Sequence, residues 1–139
     1  MIESTPRVDA LSDEECRRLL ETHRFGRLAV HGRDGLAIFP VNYVYSEGHL
    51  AIRTEPGAKL DGAVQSSVAF EIDEVDDLMR TGWSVVVTGS AFEVTDSLDE
   101  QSQLIRTFPV DSWAGERSLW LRVEPRTITG RMVRRGGTS

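Results

Sequence analysis

Over most of the chain apolar and polar residues alternate at the two-residue period of half-buried strands, and only two or three short stretches carry helical spacing instead. Ser12-Asp13-Glu14-Glu15 fits a capping box: the Ser12 hydroxyl accepts from the third helical amide while the Glu15 carboxylate reaches back to the cap amide. A helix is predicted from there to about residue 23, with Leu11 as a staple and Cys16, Leu19 and Leu20 as its apolar face. Residues 25–31 and 36–45 read as strands joined through Gly32-Arg33-Asp34-Gly35, where Gly35 accepts the positive backbone angle of a tight connection. After the turn Ser46-Glu47-Gly48, the alternation of His49-Leu50-Ala51-Ile52-Arg53 places Leu50 and Ile52 on one face.

Thr54-Glu55-Pro56-Gly57-Ala58-Lys59 leads into a predicted short helix ending near Ser66. Residues 68–72 resume strand character and run into Asp73, Glu74, Asp76 and Asp77, expected to be a solvated connection without calcium-loop spacing. Residues 83–94 make the strongest β segment, and Gly89 in its middle permits a sharp bend. Another helix is predicted from Asp96-Ser97-Leu98-Asp99-Glu100 to before Pro109, and a last strand over residues 119–124, ahead of Pro125-Arg126. These elements describe a mainly β fold of about six strands with short flanking helices, in a sheet closed into a barrel. Strands that follow one another without long helices between them argue against a doubly wound nucleotide-binding sheet.

A length of 139 residues fits one domain with its own core. The division expected is an N-terminal extension over 1–11, the barrel over 12–130 and a basic tail over 131–139, whose Arg131, Arg134 and Arg135 could meet a phosphate but read first as a solvated, frayed terminus. The beginning of the chain has no secretion-like apolar stretch and no eighteen apolar residues run together, so a cytoplasmic location without a membrane span is expected. The lone Cys16 cannot close an intrachain disulfide and fits a reducing compartment. A net charge of -6 argues against broad attraction to nucleic acid, which needs clustered positive charge.

Chemistry concentrates in a few places. Arg53 can grip two phosphate oxygens, Thr54 can donate a hydroxyl and Lys59 can add a cation near a helix start, although arginine and lysine beside a turn also suit a solvated surface. The spacing is not that of a Walker loop. Asn42, between Val41 and Tyr43, can read the polar edge of a heterocycle, and Tyr43 can stack or hydrogen bond; an ordinary alternating strand accounts for the same residues. Trp83 with Ser84, and likewise Trp113 and Trp120, can line a ligand pocket or fill a core. His23, His31 and His49 have no zinc-site spacing, and no serine or cysteine has the setting of an activated nucleophile.

Taken in order, Phe25-Gly26-Arg27-Leu28-Ala29, Pro40-Val41-Asn42-Tyr43-Val44-Tyr45, Arg53-Thr54-Glu55-Pro56-Gly57-Ala58-Lys59, Val68-Ala69-Phe70-Glu71-Ile72-Asp73 and Trp83-Ser84-Val85-Val86-Val87-Thr88-Gly89 resemble the pyridoxamine 5'-phosphate oxidase-like flavin-binding split-barrel proteins, in their small actinobacterial-type branch. The resemblance spans about residues 12–130 and implies a six-stranded split β-barrel homodimer with a cofactor in each of two inter-subunit clefts. It implies that Arg53, Thr54 and Lys59 hold a flavin phosphate and that Pro40, Val41 and Asn42 line the isoalloxazine side. Trp83 and Ser84 match the segment that approaches the cleft from the partner chain, and Trp120 and Arg126 complete it. The function implied is an FMN-dependent oxidoreductase passing hydride between the flavin and an unidentified small molecule. An F420-dependent reductase and a noncatalytic flavin- or haem-binding module stand as alternatives. No residue set for a second phosphate-bearing ligand is recognisable, so the named oxidase activity is not carried over.

Overall fold

The first helix starts where its sequence requires: Glu15 N donates to Ser12 Oγ at 3.1 Å and Ser12 N donates to Glu15 Oε1 at 3.3 Å. The computed structural model describes residues 6–32, 35–54, 67–94, 100–111 and 119–135. Its elements are β1 (Arg7–Ala10), α1 (Asp13–Thr22), β2 (Phe25–Gly32), β3 (Gly35–Ser46), β4 (His49–Thr54), β5 (Ser67–Asp76), β6 (Thr81–Glu93), α2 (Glu100–Arg106) and β7 (Leu119–Arg134). The expected short helix ending near Ser66, the start of the second helix before Glu100, and Lys59 and Trp113 lie outside the described residues.

The strands β7, β4, β3, β2, β5 and β6 are antiparallel neighbours in that order, and β6 pairs again with β7, which closes a six-stranded barrel. Closure leaves β1 as an additional strand on residues 131–134 of β7. Period-two alternation fixes the register: Leu28, Tyr43, Ile52, Phe70, Val85 and Leu121 are buried inside the barrel, and α1 seals one end with Cys16 and Leu20. Tyr43 packs edge-on against Phe70 at 4.7 Å and donates its hydroxyl to Leu20 O at 2.8 Å, so it serves the core and one end of α1 and not a ligand. Burial pushes its phenol well above the ordinary value. Burial likewise raises the Cys16 thiol, in keeping with a bystander role.

A second, smaller apolar cluster lies outside the barrel, where Ile105 of α2 and Val110 cover Val44 and Ala51 on the outer face of β3 and β4. Among the described residues no helix is long and apolar enough to cross a membrane, and no group of histidines, cysteines and carboxylates could hold a metal ion.

Three expectations are corrected. The acidic run is a connection only at its end: Asp73, Glu74 and Asp76 continue β5, paired with Ser84, Trp83 and Thr81 of β6, and Asp77 alone lies in the exposed turn as expected. The last strand does not end at Glu124 but passes through Pro125 to Arg134. A proline fits there because the register slips between Thr88 and Gly89: Thr88 faces Thr127 while Gly89 faces Pro125, leaving Arg126 as the extra residue of a bulge. Any side chain at position 89 would place its Cβ 2.0 Å from Glu124 O. Arg131 is consequently a strand residue between β6 and β1, and Arg134 pairs with Arg7 of β1, so neither belongs to a frayed tail.

Candidate functional site

Register builds the site from four neighbouring strands. Trp120 on β7 pairs with Arg53 on β4, Arg53 with Asn42 on β3, and Asn42 with Phe25 on β2. Alternation turns these side chains to the outside of the barrel. Arg53 Nη1 donates to Val110 O at 3.1 Å, and the guanidinium carbon stands 4.6 Å from the centre of the Trp120 ring. The ring is itself packed into the outer cluster with Phe108 and Val94. Arg53 is thus half-buried and oriented by a carbonyl and an aromatic face before any ligand arrives, which suits a guanidinium meant to receive an oxyanion. Asn42 brings an amide with both donor and acceptor to its side.

The other expected residues fall into place unequally. Pro40 shares the outer face with Asn42 and lies opposite Arg27 of β2. Val41 points the other way, 2% exposed in the barrel core, so only its backbone can meet a ligand on the outer face. On the edge of β3 away from β2, residues 35–41 have no partner strand among the described residues, since β4 pairs only with residues 42–46. Thr54 follows Arg53 in an alternating strand, so the two side chains do not converge within β4. Arg126 is exposed at the bulge, away from the row that holds Trp120.

Trp83 and Ser84 are elsewhere. Trp83 packs against the core and meets the His23 ring edge-on at 4.9 Å and 72°. His23 in turn bonds Leu19 O through Nδ1 at 2.7 Å and faces Glu74 across 3.6 Å. Ser84 lies on the outer face between Asp73 and Arg131. Arg131 stands eleven residues beyond Trp120 on the same strand, roughly 36 Å at about 3.3 Å per residue. One chain therefore does not bring Trp83 and Ser84 to Arg53.

A cluster that sequence reasoning missed lies between these regions. Arg27 Nη2 reaches Glu71 Oε1 and Asp73 Oδ1, each at 2.7 Å, and Arg27 Nε reaches Glu71 Oε1 at 3.0 Å. One guanidinium serves two carboxylates. Burial, followed by the hydrogen bond to Asp73, pushes the Glu71 carboxyl above its ordinary value against the pull of Arg27. The signal was present in the alternation of Val68-Ala69-Phe70-Glu71-Ile72-Asp73, which turns both acids outward once β5 is continued.

Comparison with known proteins gives concordant results. The pyridoxamine 5'-phosphate oxidase family matches residues 12–132. An uncharacterized protein of Mycobacterium tuberculosis is 42% identical over 100 residues, 68% of this chain, and the match spans 66% of that protein's length. The structure of the FAD binding protein from Mycobacterium smegmatis superposes with a TM-score of 0.71 at 34% identity, covering 90% of this chain and 97% of that one. A FAD-binding protein from Mesorhizobium loti gives a TM-score of 0.71 at 27% identity, over 93% of this chain and 98% of its own. The split barrel described above is the fold these proteins share.

Proposed function

Because the chain belongs to the pyridoxamine 5'-phosphate oxidase family, we propose that it is a flavin-dependent oxidoreductase that works as a homodimer on a small organic molecule. The observation that carries this reading is the outward row of Asn42, Arg53 and Trp120, with the guanidinium already held by Val110 O. In this reading Arg53 receives the FMN phosphate together with Lys59, while Pro40, Asn42 and the Val41 backbone border the ring. A bound flavin supplies a ring that takes up or gives back a hydride. The chain's own work is to fix the phosphate, present polar groups to the ring edge and keep one ring face open to substrate.

Two observations support self-association. The outer face of β2 and β3 exposes Leu36 (85%), Ile38 (67%) and Phe25 (44%), an apolar patch of the kind that subunits cover. The separation of Ser84 from Arg53 within one chain is also what a site completed by a second copy requires. The lone buried thiol and the acidic net charge suit the cytoplasm, where we place the activity. FAD in place of FMN is the second reading, favoured by the two FAD-binding proteins with this fold.

Isothermal titration with FMN, FAD, F420 and haem, with light scattering for the oligomer, tests the proposal. Expected are one flavin per subunit of a dimer and a loss of about tenfold or more in flavin affinity for Arg53→Ala, the weight of a charge-assisted hydrogen bond. Unchanged affinity in a folded Arg53→Ala protein removes Arg53 from the site, and preference for haem or F420 replaces the flavin.

A further inference from the structure

Along β3 the outer face runs from Asn42 through Pro40 and Ile38 to Leu36, and beyond Pro40 it becomes one wall of a trough of about 470 Å³. One cross-strand row makes most of it: Ile38 of β3 faces Ala29 of β2, Ala29 faces Ala69 of β5, and Ala69 faces Thr88 of β6. The floor is low because its two residues are alanines, while Ile38 and Leu36 stand up as a rim, 67% and 85% exposed. Pairing of β2 with β5 reaches no farther than Ala29 and Ala69. At the His31 end the trough therefore lies over a seam where the two strands part, with buried Val30 and Val68 below.

Its chemistry is the reverse of that at the Arg53 end. Among the described residues, none that lines the trough is a lysine, an arginine or a carboxylate, and the Thr88 hydroxyl is already bonded to that of Thr127. His31 and Ser67 supply the polar side chains at the open end. The guanidinium of the neighbouring row, Arg27 beside Pro40 and Glu71, has little to offer an arriving anion, because Glu71 and Asp73 both hold it at 2.7 Å. A phosphate ester of the kind in the family's name would lose hydration here and meet no free cation among the lining residues.

We propose that this trough is the substrate pocket and takes an uncharged, largely apolar ring compound. The inference rests on the flavin reading, in which the ring is bordered by Pro40 and so lies beside the trough. Asn42, next to Arg53, and Ile38 are four residues apart on β3, roughly 13 Å at about 3.3 Å per residue. A compound on the alanine floor buries one face against Ala29 and Ala69 and an edge against Ile38, with any polar substituent turned to His31 and Ser67. A second copy resting on Ile38 and Leu36 meets the rim and leaves the low floor free, so self-association roofs the pocket.

The test titrates the flavin-loaded and the flavin-free chain with naphthol, using naphthyl phosphate as the charged counterpart. Naphthol is expected to shift the methyl resonances of Ala29, Ala69 and Ile38 and to bind about tenfold or more tightly than the phosphate. Affinities are read from these methyls, so that a phosphate held at Arg53 is not counted. Ala69→Leu, which fills the floor, is expected to weaken naphthol about tenfold with flavin affinity kept. The double variant Glu71→Gln with Asp73→Asn releases Arg27 and is expected to raise the affinity for naphthyl phosphate. The proposal is overturned if the phosphate binds as well as naphthol, if the three methyl resonances stay still, or if the double variant gives the phosphate no gain. A folded Ala69→Leu chain that binds naphthol like wild type also overturns it; should that variant not fold, the wild-type resonances decide. The flavin reading fails separately, through Arg53→Ala, and naphthol binding to the flavin-free chain then still tests the trough.

Discussion

Arg53 and Arg131 face solvent from the same barrel, but their surroundings are opposite in kind. Arg53 lies under the Trp120 ring, bonds a carbonyl and is packed beside an apolar cluster that α2 completes. Arg131 stands on a bare sheet face with no partner among the described residues. A guanidinium whose direction is set in advance loses little freedom when an anion arrives; one left mobile must be ordered by the ligand. The Arg53 guanidinium is therefore set in direction in advance, and that of Arg131 is not. Since β7 supplies residues to both ends, the stagger of the closed barrel keeps the two apart.

The largest effect should come from breaking that stagger. Gly89→Val places a side chain against Glu124 O where even a Cβ would lie at 2.0 Å, and is expected to destabilise by about 3 kcal/mol. Urea denaturation gives the number, and a loss below about 1 kcal/mol would show that the bulge can shift. Next, Trp120→Ala empties part of the outer cluster and uncovers Arg53. A cost of about 2 kcal/mol is expected, below the range for fully buried tryptophans because the ring is half-buried, along with weaker flavin binding. Arg131→Gln is expected to stay within about 0.5 kcal/mol of wild type, and thermal unfolding of the two variants side by side sharpens the contrast. A large loss for Arg131→Gln would mean that this end is as organised as the other.

A further, pH-dependent effect lies between the ends, at Glu71. Its carboxyl is held above the ordinary 4.5 by burial and by Asp73. The folded chain then binds more protons than the unfolded one, so this contribution is present below 4.5 and lost as pH rises through the raised value. The stability of wild type relative to Glu71→Gln should accordingly fall as pH rises above 4.5, by less than about 1 kcal/mol for a group that solvent reaches in part. A difference that grows with pH would give Arg27, and not Asp73, control of this carboxyl.

What was legible in the sequence is what neighbours along the chain decide. The capping box at Ser12 and Glu15, the positive φ of 107° at Gly35 and the inward turn of Leu50 and Ile52 depend on residues a few positions apart, and all are found as expected. The missed features depend on distant partners. Glu71 and Asp73 stay in a strand because Arg27, brought alongside by the β2–β5 pairing, neutralises them. Pro125 does not stop β7 because Gly89, far back in the chain, yields space for the bulge. The candidate site divides in the same way. Asn42 and Arg53 were readable as polar residues of neighbouring strands, and their joining with Trp120 follows from barrel closure. That closure, which no short stretch encodes, also puts Ser84 on the far side.

Cys16 gives access to a further property. Its sulfur lies where a Cβ on Gly130 would come within 2.6 Å of it, with Leu11 pressed against the same spot, so the thiol is sealed between α1 and β7. An alkylating reagent can reach it only when the helix lifts from the barrel end. The chain thus carries a built-in clock: the rate of Cys16 labelling reads the free energy of that partial opening, separately from global unfolding.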